Sequence, residues 1–202
     1  MIAKPSSSHQ GRALLYVVID ACVLANYAVV DLLLTLAELG LISPRWSSQI
    51  LEETYRTHTQ KLHWEPRIAR GFQAAVLAQF PTSLVSGYEK WIPHCTNHEK
   101  DRHVLACAIE AKARVILTYN LRDFASRDLA PWHTRALHPQ DYLLGLHGQD
   151  HEQIADALER VVRNHSQKLG RKFTIQDELR ALAPFVPEFS KALLAESNAV
   201  LR

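Results

Sequence analysis

The chain has 202 residues, of which 47% are hydrophobic and 22% are charged, and its formal net charge is +2. These values lie near the averages of globular domains and exclude a disordered, collagen-like or coiled-coil protein. The length suffices for one sizeable domain, or for an ordinary domain with a helical appendage. The small net charge neither requires nor excludes a nucleic-acid partner, because a basic face can be local.

The N-terminal segment predicts a flexible tail at residues 1–13, because it contains one lysine and lacks the apolar run of a secretory signal. Asp20, Asp31 and Glu38 interrupt the apolar stretch that follows, which argues against a membrane span. The three cysteines form no CxxC pair, as is typical of proteins of a reducing cytoplasm. We therefore expect a cytoplasmic protein with no membrane partner.

The first predicted elements are a strand and a helix. The segment from Leu14 to Asp20 is short, rich in β-branched residues and ends in an acid, which predicts a buried strand with Asp20 at its C-terminal end. The segment from Asp31 to Leu39 consists mostly of helix formers, opens with an Asp suited to capping and stops before Gly40. It predicts a helix.

A second helix carries two adjacent acids. Pro44 interrupts the pattern, after which Ser47 or Ser48 can cap a helix with apolar residues at helical spacing. Both Glu52 and Glu53 lie on this helix. Their angles from the middle of its apolar face are similar, so helical geometry does not choose between them.

The middle of the chain predicts two further helices and a second buried strand. Pro66 suits the first turn of a helix that ends before Pro81, and the segment from Ser83 to Ile92 offers at best one edge strand. Asn97 can cap the next helix, which leads into the β-branched, wholly apolar segment from Val115 to Thr118. Strand, helices and strand indicate an α/β fold.

The last third of the chain changes character. From Pro139 onward it predicts several helices separated by Gly148, Gly170 and Pro184, and no strand. We expect a domain at residues 14–137 and an all-helical C-terminal extension at residues 138–202.

Three acids are expected at one edge of the predicted sheet. Asp20 ends the first strand, Asp123 closely follows the last one, and Asp101 begins the helix between them. Functional crevices of parallel sheets lie at the carboxyl ends of the strands. Clustered carboxylates repel one another unless a divalent cation neutralises them, and oxygen ligands favour Mg²⁺ or Mn²⁺. Such a site can hydrolyse a phosphodiester, although an isolated Asp after a strand is more often a turn or cap residue.

Two segments resemble the PIN-domain nucleases. YVVIDACVL is similar to the family's opening strand, and EKDRHVLACAIEAKARVILTYNLRDF is similar to its distal half, with an Asp-initiated helix, an apolar strand and a Thr-x-Asn-x-x-Asp turn. The resemblance implies a PIN-like parallel sheet flanked by helices. It also implies three metal-site acids and three supporting residues, namely Asp20, Asp101 and Asp123 with Thr118, Asn120 and Glu99.

The resemblance also implies a second catalytic acid in SSQILEE. Counting from Ser47 and Ile50 selects Glu53, with Glu52 as the alternative. The chain departs from the family at Ala21 and Cys22, where many members carry Thr or Ser and then Asn. The departure removes a hydroxyl that would support the first acid but leaves that acid in place.

Within the family, the chain most resembles VapC-type toxins that carry a helical C-terminal extension, because DACVL, DLLLTLA, PRWSSQILEE and DRHVLA occur together. This implies a metal-dependent ribonuclease that acts on RNA such as tRNA or rRNA, a cognate antitoxin and a homodimer. The alternatives are a PIN nuclease of RNA processing or decay without an antitoxin, and a noncatalytic RNA- or protein-binding module.

Two other groups of residues allow weaker hypotheses. His103 follows Asp101 closely and is a candidate phosphate contact, whereas His58 and His63 are expected on the outer part of a helix. A basic cluster surrounds Glu53 and suggests either an RNA-backbone contact or a solvated helix face. Its members are Arg45, Arg56, Lys61, Arg67 and Arg70.

Overall fold

A computed structural model describes the backbone of residues 15–200 and the side chains of residues 15–196, so the predicted tail at residues 1–13 lies outside the described residues. The strands are β1 (Tyr16–Ile19), β2 (Ser43–Ser47), β3 (Leu84–Val85), β4 (Val115–Leu117) and β5 (Arg135–Leu137). They form one parallel sheet in the order β3-β2-β1-β4-β5. The predicted α/β fold with a parallel sheet is confirmed.

Helices flank the sheet and make up the C-terminal part of the described chain. They are α1 (Ala21–Leu24), α2 (Tyr27–Glu38), α3 (Ser48–Arg56), α4 (Pro66–Gln79), α5 (Arg102–Glu110), α6 (Ser126–Leu129), α7 (Pro139–Gln149), α8 (His151–Leu169), α9 (Ile175–Leu182) and α10 (Pro187–Val200). A π-helix (Thr57–Lys61) continues α3, and 3-10 helices span Tyr88–His94, Glu99–Asp101, Leu121–Asp123 and Ala130–Trp132. None of the described helices is both long and apolar enough to cross a membrane.

The two central strands are β1 and β4, and their positions explain their sequences. Every residue of β4 and all but the first residue of β1 are buried. The sequences of strands that are covered on both faces are continuously apolar and do not alternate between apolar and polar residues. Ile19 pairs with Leu117, so the residues that follow them reach the same edge of the sheet.

Strand β2 was not predicted, because Pro44 interrupts it. Val17 of β1 pairs with Pro44, whereas β3 pairs only with Trp46 and Ser47, farther along β2. Proline lacks an N–H donor and is tolerated where a strand has no partner on that side. The register therefore accommodates Pro44 at the start of β2, where β1 pairs on one side and β3 does not yet pair on the other.

The starts of two helices differ from those predicted. Asn26, not Asp31, caps α2, and its side chain accepts from the Val29 N–H at 3.3 Å. Asn97 is buried and does not cap α5, because the 3-10 helix Glu99–Asp101 precedes that helix. Ser47 caps α3 as predicted and accepts from the Ile50 N–H at 3.2 Å.

The predicted C-terminal helices are present, and their buried side chains belong to the same hydrophobic core as the sheet. Thr174 and Asp177 form a capping box at the start of α9, and Gly170 ends α8 in the left-handed conformation. Helices α8 and α9 both contact α2. The boundary near residue 137 stays a prediction, since the core continues across it.

A half-buried histidine, His165, joins α2 to α8 and α9. His165 Nε2 lies 3.2 Å from Asp31 Oδ2, and its Nδ1 lies 3.3 Å from Glu178 Oε2. Glu178 is 1% exposed. Asp31, predicted as a cap, therefore serves instead to connect the C-terminal helices to the helix beside the sheet.

We expect Glu178→Gln to stabilise the protein more at pH 8 than at pH 5. Burial, followed by the charge of Asp31, raises the pKa of Glu178 from 4.5 to about 7. The stability that the protonated group contributes is complete below pH 4.5 and is lost as the pH rises through 7. At 1.36 kcal/mol per pH unit, the loss is at most about 3 kcal/mol. Urea unfolding at both pH values measures it, with the exposed Glu188→Gln as control; equal effects at both pH values would contradict the prediction.

Candidate active site

Asp20 directly follows β1 and caps the short helix α1. It is 4% exposed, and its Oδ1 accepts from the Ala21 N–H at 2.6 Å. Its Oδ2 accepts from the Thr118 hydroxyl at 2.7 Å. Because β1 and β4 are paired and parallel, Asp20 and Thr118 emerge side by side, and the hydroxyl fixes the direction of the carboxylate.

Cys22 supplies a contact at a position where the sequence departs from the PIN-domain pattern that it resembles. Its Sγ donates to Asp20 Oδ2 at 3.1 Å. Burial, followed by the charge of Asp20, raises the pKa of the Cys22 thiol to about 12, so the thiol stays protonated and remains a donor at neutral pH. Asp20 therefore has two side-chain donors and one backbone donor despite the departure.

Asp101 and Asp123 lie beside His98. One ligand atom from each of these side chains lies within 4.8 Å of the others, and no other such group of three His, Cys, Asp or Glu occurs among the described residues. His98 Nδ1 is 3.4 Å from Asp101 Oδ2. The His98 N–H donates to the Asp123 carbonyl at 3.3 Å, so a backbone bond joins the two segments that carry the acids.

The acids repel one another electrostatically. Burial raises the pKa of Asp101, and the charges of Asp20 and Asp123 raise it further, while His103 and His98 offset part of the rise. Asp20 is thus close enough to act on Asp101, although it is not part of the group formed with His98. The predicted convergence of these three acids near one edge of the sheet is what the structure has.

The structure places the side chains of Glu53 and Glu52 in different surroundings. Glu53 lines the same cleft as Asp101 and Asp123, and its Oε1 lies 3.2 Å from His103 Nε2. Glu52 is exposed and lies 3.6 Å from Arg70 Nη1, away from the cleft. The two carboxylates therefore have different surroundings.

His103 holds Glu53 rather than facing solvent. It is 3% exposed, so the hypothesis that it contacts a phosphate is not supported by its position. Burial alone raises the pKa of Glu53, but His103, Gln49 and Arg56 together outweigh burial and hold the pKa below its ordinary value. Glu53 is consequently ionised at neutral pH.

These residues line an open cleft of about 570 Å³, which we call the acidic cleft. Its described lining consists of Glu53, Arg56, Thr57, Gln60, Lys61, His98, Lys100, Asp101, Asn120, Arg122 and Asp123. Three of the lining residues are acids, and four are Lys or Arg. Of the predicted basic cluster, Arg56 and Lys61 lie here, whereas Arg45 packs on Tyr16 and Arg70 on Tyr55.

The predicted supporting residues have unequal positions. Thr118 contacts Asp20, and the Asn120 N–H donates to the Thr118 hydroxyl at 3.0 Å. Glu99 is exposed and is not among the described residues that line the cleft. His98 was missed by sequence reasoning, although its position three residues before Asp101 could have placed it on the same side of a helical turn.

The donor set of the acidic cleft suits a divalent cation. The carboxylates of Asp101 and Asp123 are hard oxygen ligands, and the imidazole of His98 is a ligand that Mn²⁺ accepts more readily than Mg²⁺. Arg122 Nε lies 3.8 Å from Asp123 Oδ1 and is the nearest guanidinium to that acid among the described ion pairs. One exposed arginine does not balance the charge of the converging acids.

Comparison with known proteins identifies slightly more than half of the chain. Residues 16–122 match the family described as PIN domain. A protein of Mycobacterium tuberculosis named "Putative ribonuclease VapC50" is 37% identical over 109 residues, which are 54% of this chain and 63% of that protein. The chain thus spans less than two thirds of the length of this relative. No solved structure shows significant similarity to the chain.

Proposed function

Since this chain belongs to the PIN-domain family, we propose that it is a divalent-metal-dependent ribonuclease that hydrolyses RNA phosphodiester bonds. The observation that carries the proposal is the convergence of Asp101, Asp123 and His98 in a cleft that Glu53 also lines. Four Lys or Arg side chains line the same cleft, as expected of a site that must receive a phosphate backbone. The name of the similar mycobacterial protein also supports a ribonuclease.

Asp101, Asp123 and His98 would hold the cation, and Asp20, whose charge acts on Asp101, is the further acid of the site. When bound, Mg²⁺ or Mn²⁺ supplies Lewis acidity toward the phosphodiester and favours deprotonation of the attacking water. The three donors to Asp20 prevent its carboxylate from rotating, which keeps the site in one arrangement before substrate binds. Such preorganisation avoids reorganisation during the reaction.

Glu53 would accept the proton of the attacking water. Its ionised carboxylate is held by His103 at 3.2 Å and by Gln49 Nε2 at 3.4 Å. A general base must be both deprotonated and correctly placed. Arg56 and Lys61, on the same side of the cleft, would bind the phosphates on either side of the scissile bond.

We further propose a biological role for this ribonuclease activity. Resemblance to VapC-type proteins supports a toxin that a cognate antitoxin restrains, and a homodimeric assembly stays a prediction of that resemblance. Expression of the chain in cells tests the role. Growth arrest that requires Glu53 and is relieved by the product of a neighbouring gene would support a toxin; unaffected growth with retained activity in vitro would favour RNA processing or decay.

Incubation of the purified protein with total RNA tests the activity, and Glu53→Gln paired with Glu52→Gln tests the site. We expect cleavage with Mg²⁺ or Mn²⁺ and none in EDTA. Loss of a general base costs about a hundredfold or more in rate, so Glu53→Gln should be nearly inactive. Glu52→Gln removes only an exposed ion pair and should cleave within about twofold of the wild-type rate.

The same experiment separates the alternatives. Cleavage that persists in EDTA would refute a metal-dependent nuclease. Binding of RNA without cleavage under any metal condition would favour a noncatalytic binding module on this fold.

A further inference from the structure

A second cavity, of about 740 Å³, adjoins the acidic cleft. We call it the aromatic groove, because Tyr27, Trp64, Tyr119 and Phe185 form much of its lining. No Lys, Arg, Asp or Glu is among the described residues that line it. Its volume falls within the usual range of small-molecule sites.

The groove and the cleft are parts of one continuous surface. Thr57 lines both cavities. Cys22, which lines the groove, donates to Asp20 Oδ2 at 3.1 Å. A molecule that extends from the acidic cleft along the protein surface would therefore enter the aromatic groove directly.

The π-helix Thr57–Lys61 and the residues just after it contribute to both cavities. Gln60 and Lys61 contribute to the cleft, whereas Leu62 and Trp64, just beyond the π-helix, contribute to the groove. π-Helices are rare and frequently occur at functional sites. The irregular backbone here directs charged side chains to one cavity and apolar ones to the other.

The groove contains rigid ring surfaces. His58 was expected on the outer part of a helix but is fully buried, and its ring stacks on Trp64 with centroids 4.0 Å apart and planes 10° apart. Phe72 packs edge-on against His58 at 5.0 Å. Trp64 is thus fixed from behind while remaining part of the groove lining.

Polar groups are few and well placed. The Tyr119 hydroxyl accepts from Asn26 Nδ2 at 3.1 Å, which leaves its own O–H free to donate. Burial is the main cause that raises the pKa of Tyr119 well above its ordinary value, so this hydroxyl is neutral. An aromatic cavity with a hydroxyl donor and without Lys, Arg, Asp or Glu among its described lining residues favours a planar heteroaromatic ring over a phosphate.

We propose that the aromatic groove binds an unpaired nucleobase of the RNA substrate, next to the phosphate held in the acidic cleft. This inference rests on the proposed ribonuclease function and adds to it a base-binding subsite in the aromatic groove. Sequence-tolerant stacking of bases on aromatic side chains is a common way of binding single strands. The phosphates and the base would occupy neighbouring cavities of opposite character.

The test measures binding of RNA with and without bases. The probes are a fluorescein-labelled RNA decamer of random sequence and a labelled abasic decamer with the same ribose-phosphate backbone, both in EDTA so that no cleavage occurs. Wild-type protein should bind the RNA decamer about tenfold more tightly than the abasic decamer, as expected for stacking of one base. The double variant Tyr27→Ala/Phe185→Ala should bind the two probes with affinities that lie within about twofold of each other.

Tyr27 and Phe185 suit this test because they are 45% and 41% exposed, so their replacement leaves the core intact. Tyr16→Ala is the matched control, since Tyr16 is 37% exposed and begins β1, at the end of the strand opposite Asp20. The control should retain the tenfold preference. Circular dichroism verifies that all variants are folded.

Equal binding of the two probes by the wild type, or a preference that survives in the double variant, overturns the proposal. The proposal is also overturned if the double variant keeps the preference for the RNA decamer but no longer self-associates in analytical ultracentrifugation, because the groove would then be a protein interface. Binding is measured in EDTA, and cleavage is measured in a separate assay with Mg²⁺ or Mn²⁺. A base preference without cleavage in Mg²⁺ or Mn²⁺ would therefore support the groove while refuting the nuclease.

Discussion

Asp101→Asn is expected to reduce the rate of RNA cleavage by about a thousandfold, while raising the melting temperature of the protein in EDTA. The carboxylate is held near Asp20 and Asp123, whose charges, after burial, raise its pKa. Removing one charge relieves this repulsion in the folded state. The same change removes a ligand, and metal ions contribute several kcal/mol to stabilising such transition states, with each 1.36 kcal/mol worth a factor of ten.

Melting curves with and without Mn²⁺ distinguish the two effects. A ligand at a hundred times its Kd stabilises the folded state by about 2.7 kcal/mol, so the wild type should gain stability with Mn²⁺ and the variant much less. Asp141→Asn is a suitable control because Asp141 is an exposed acid in the first turn of α7. Equal Mn²⁺ stabilisation of wild type and Asp101→Asn would show that Asp101 is not a ligand.

Phe189→Ala is expected to destabilise the whole protein by about 3–5 kcal/mol, the usual cost of truncating a fully buried phenylalanine. Phe189 lies in α10 and is fully buried, and its ring packs edge-on against His147 of α7. The C-terminal helices share one core with the sheet. We therefore expect a single unfolding transition at a lower urea concentration, rather than separate loss of the C-terminal helices.

Two probes of unfolding test this expectation. Tryptophan fluorescence reports on residues 15–137, because all four tryptophans lie before residue 138, whereas circular dichroism also reports on the C-terminal helices. Coincident transitions would indicate one cooperative unit. Leu169→Ala, which truncates a side chain that is 53% exposed, should change the unfolding free energy by less than about 0.5 kcal/mol. Separated transitions in Phe189→Ala would indicate that the extension is an independent domain.

Local sequence patterns were sufficient for the elements with strong signals. The apolar runs of β1 and β4 and a serine cap at Ser47 or Ser48 each concern adjacent residues, so their physics is visible in the sequence. The edge strand β5 was not predicted, because its three residues are only partly buried and include an exposed Arg135. Short strands obtain their hydrogen bonds from neighbours that are distant in sequence.

Tertiary contacts also overruled plausible local assignments. Asp31 has the chemistry of a cap, but its partner is His165 on a helix far along the chain. His58 has the polarity of a surface residue, but Trp64 and Phe72 enclose it. Neither partner could be inferred from spacing, because each contact depends on how helices pack.

The sequence by itself was enough for the α/β fold and the family resemblance and predicted a site at Asp20, Asp101 and Asp123, because these depend on short apolar runs and on motifs of neighbouring residues. Only the tertiary structure distinguished Glu53 from Glu52, brought His98 to the acids and turned His103 inward behind Glu53. These outcomes depend on the register of parallel strands and on the packing of α3 against its neighbours. Both are set by contacts between residues far apart in the chain.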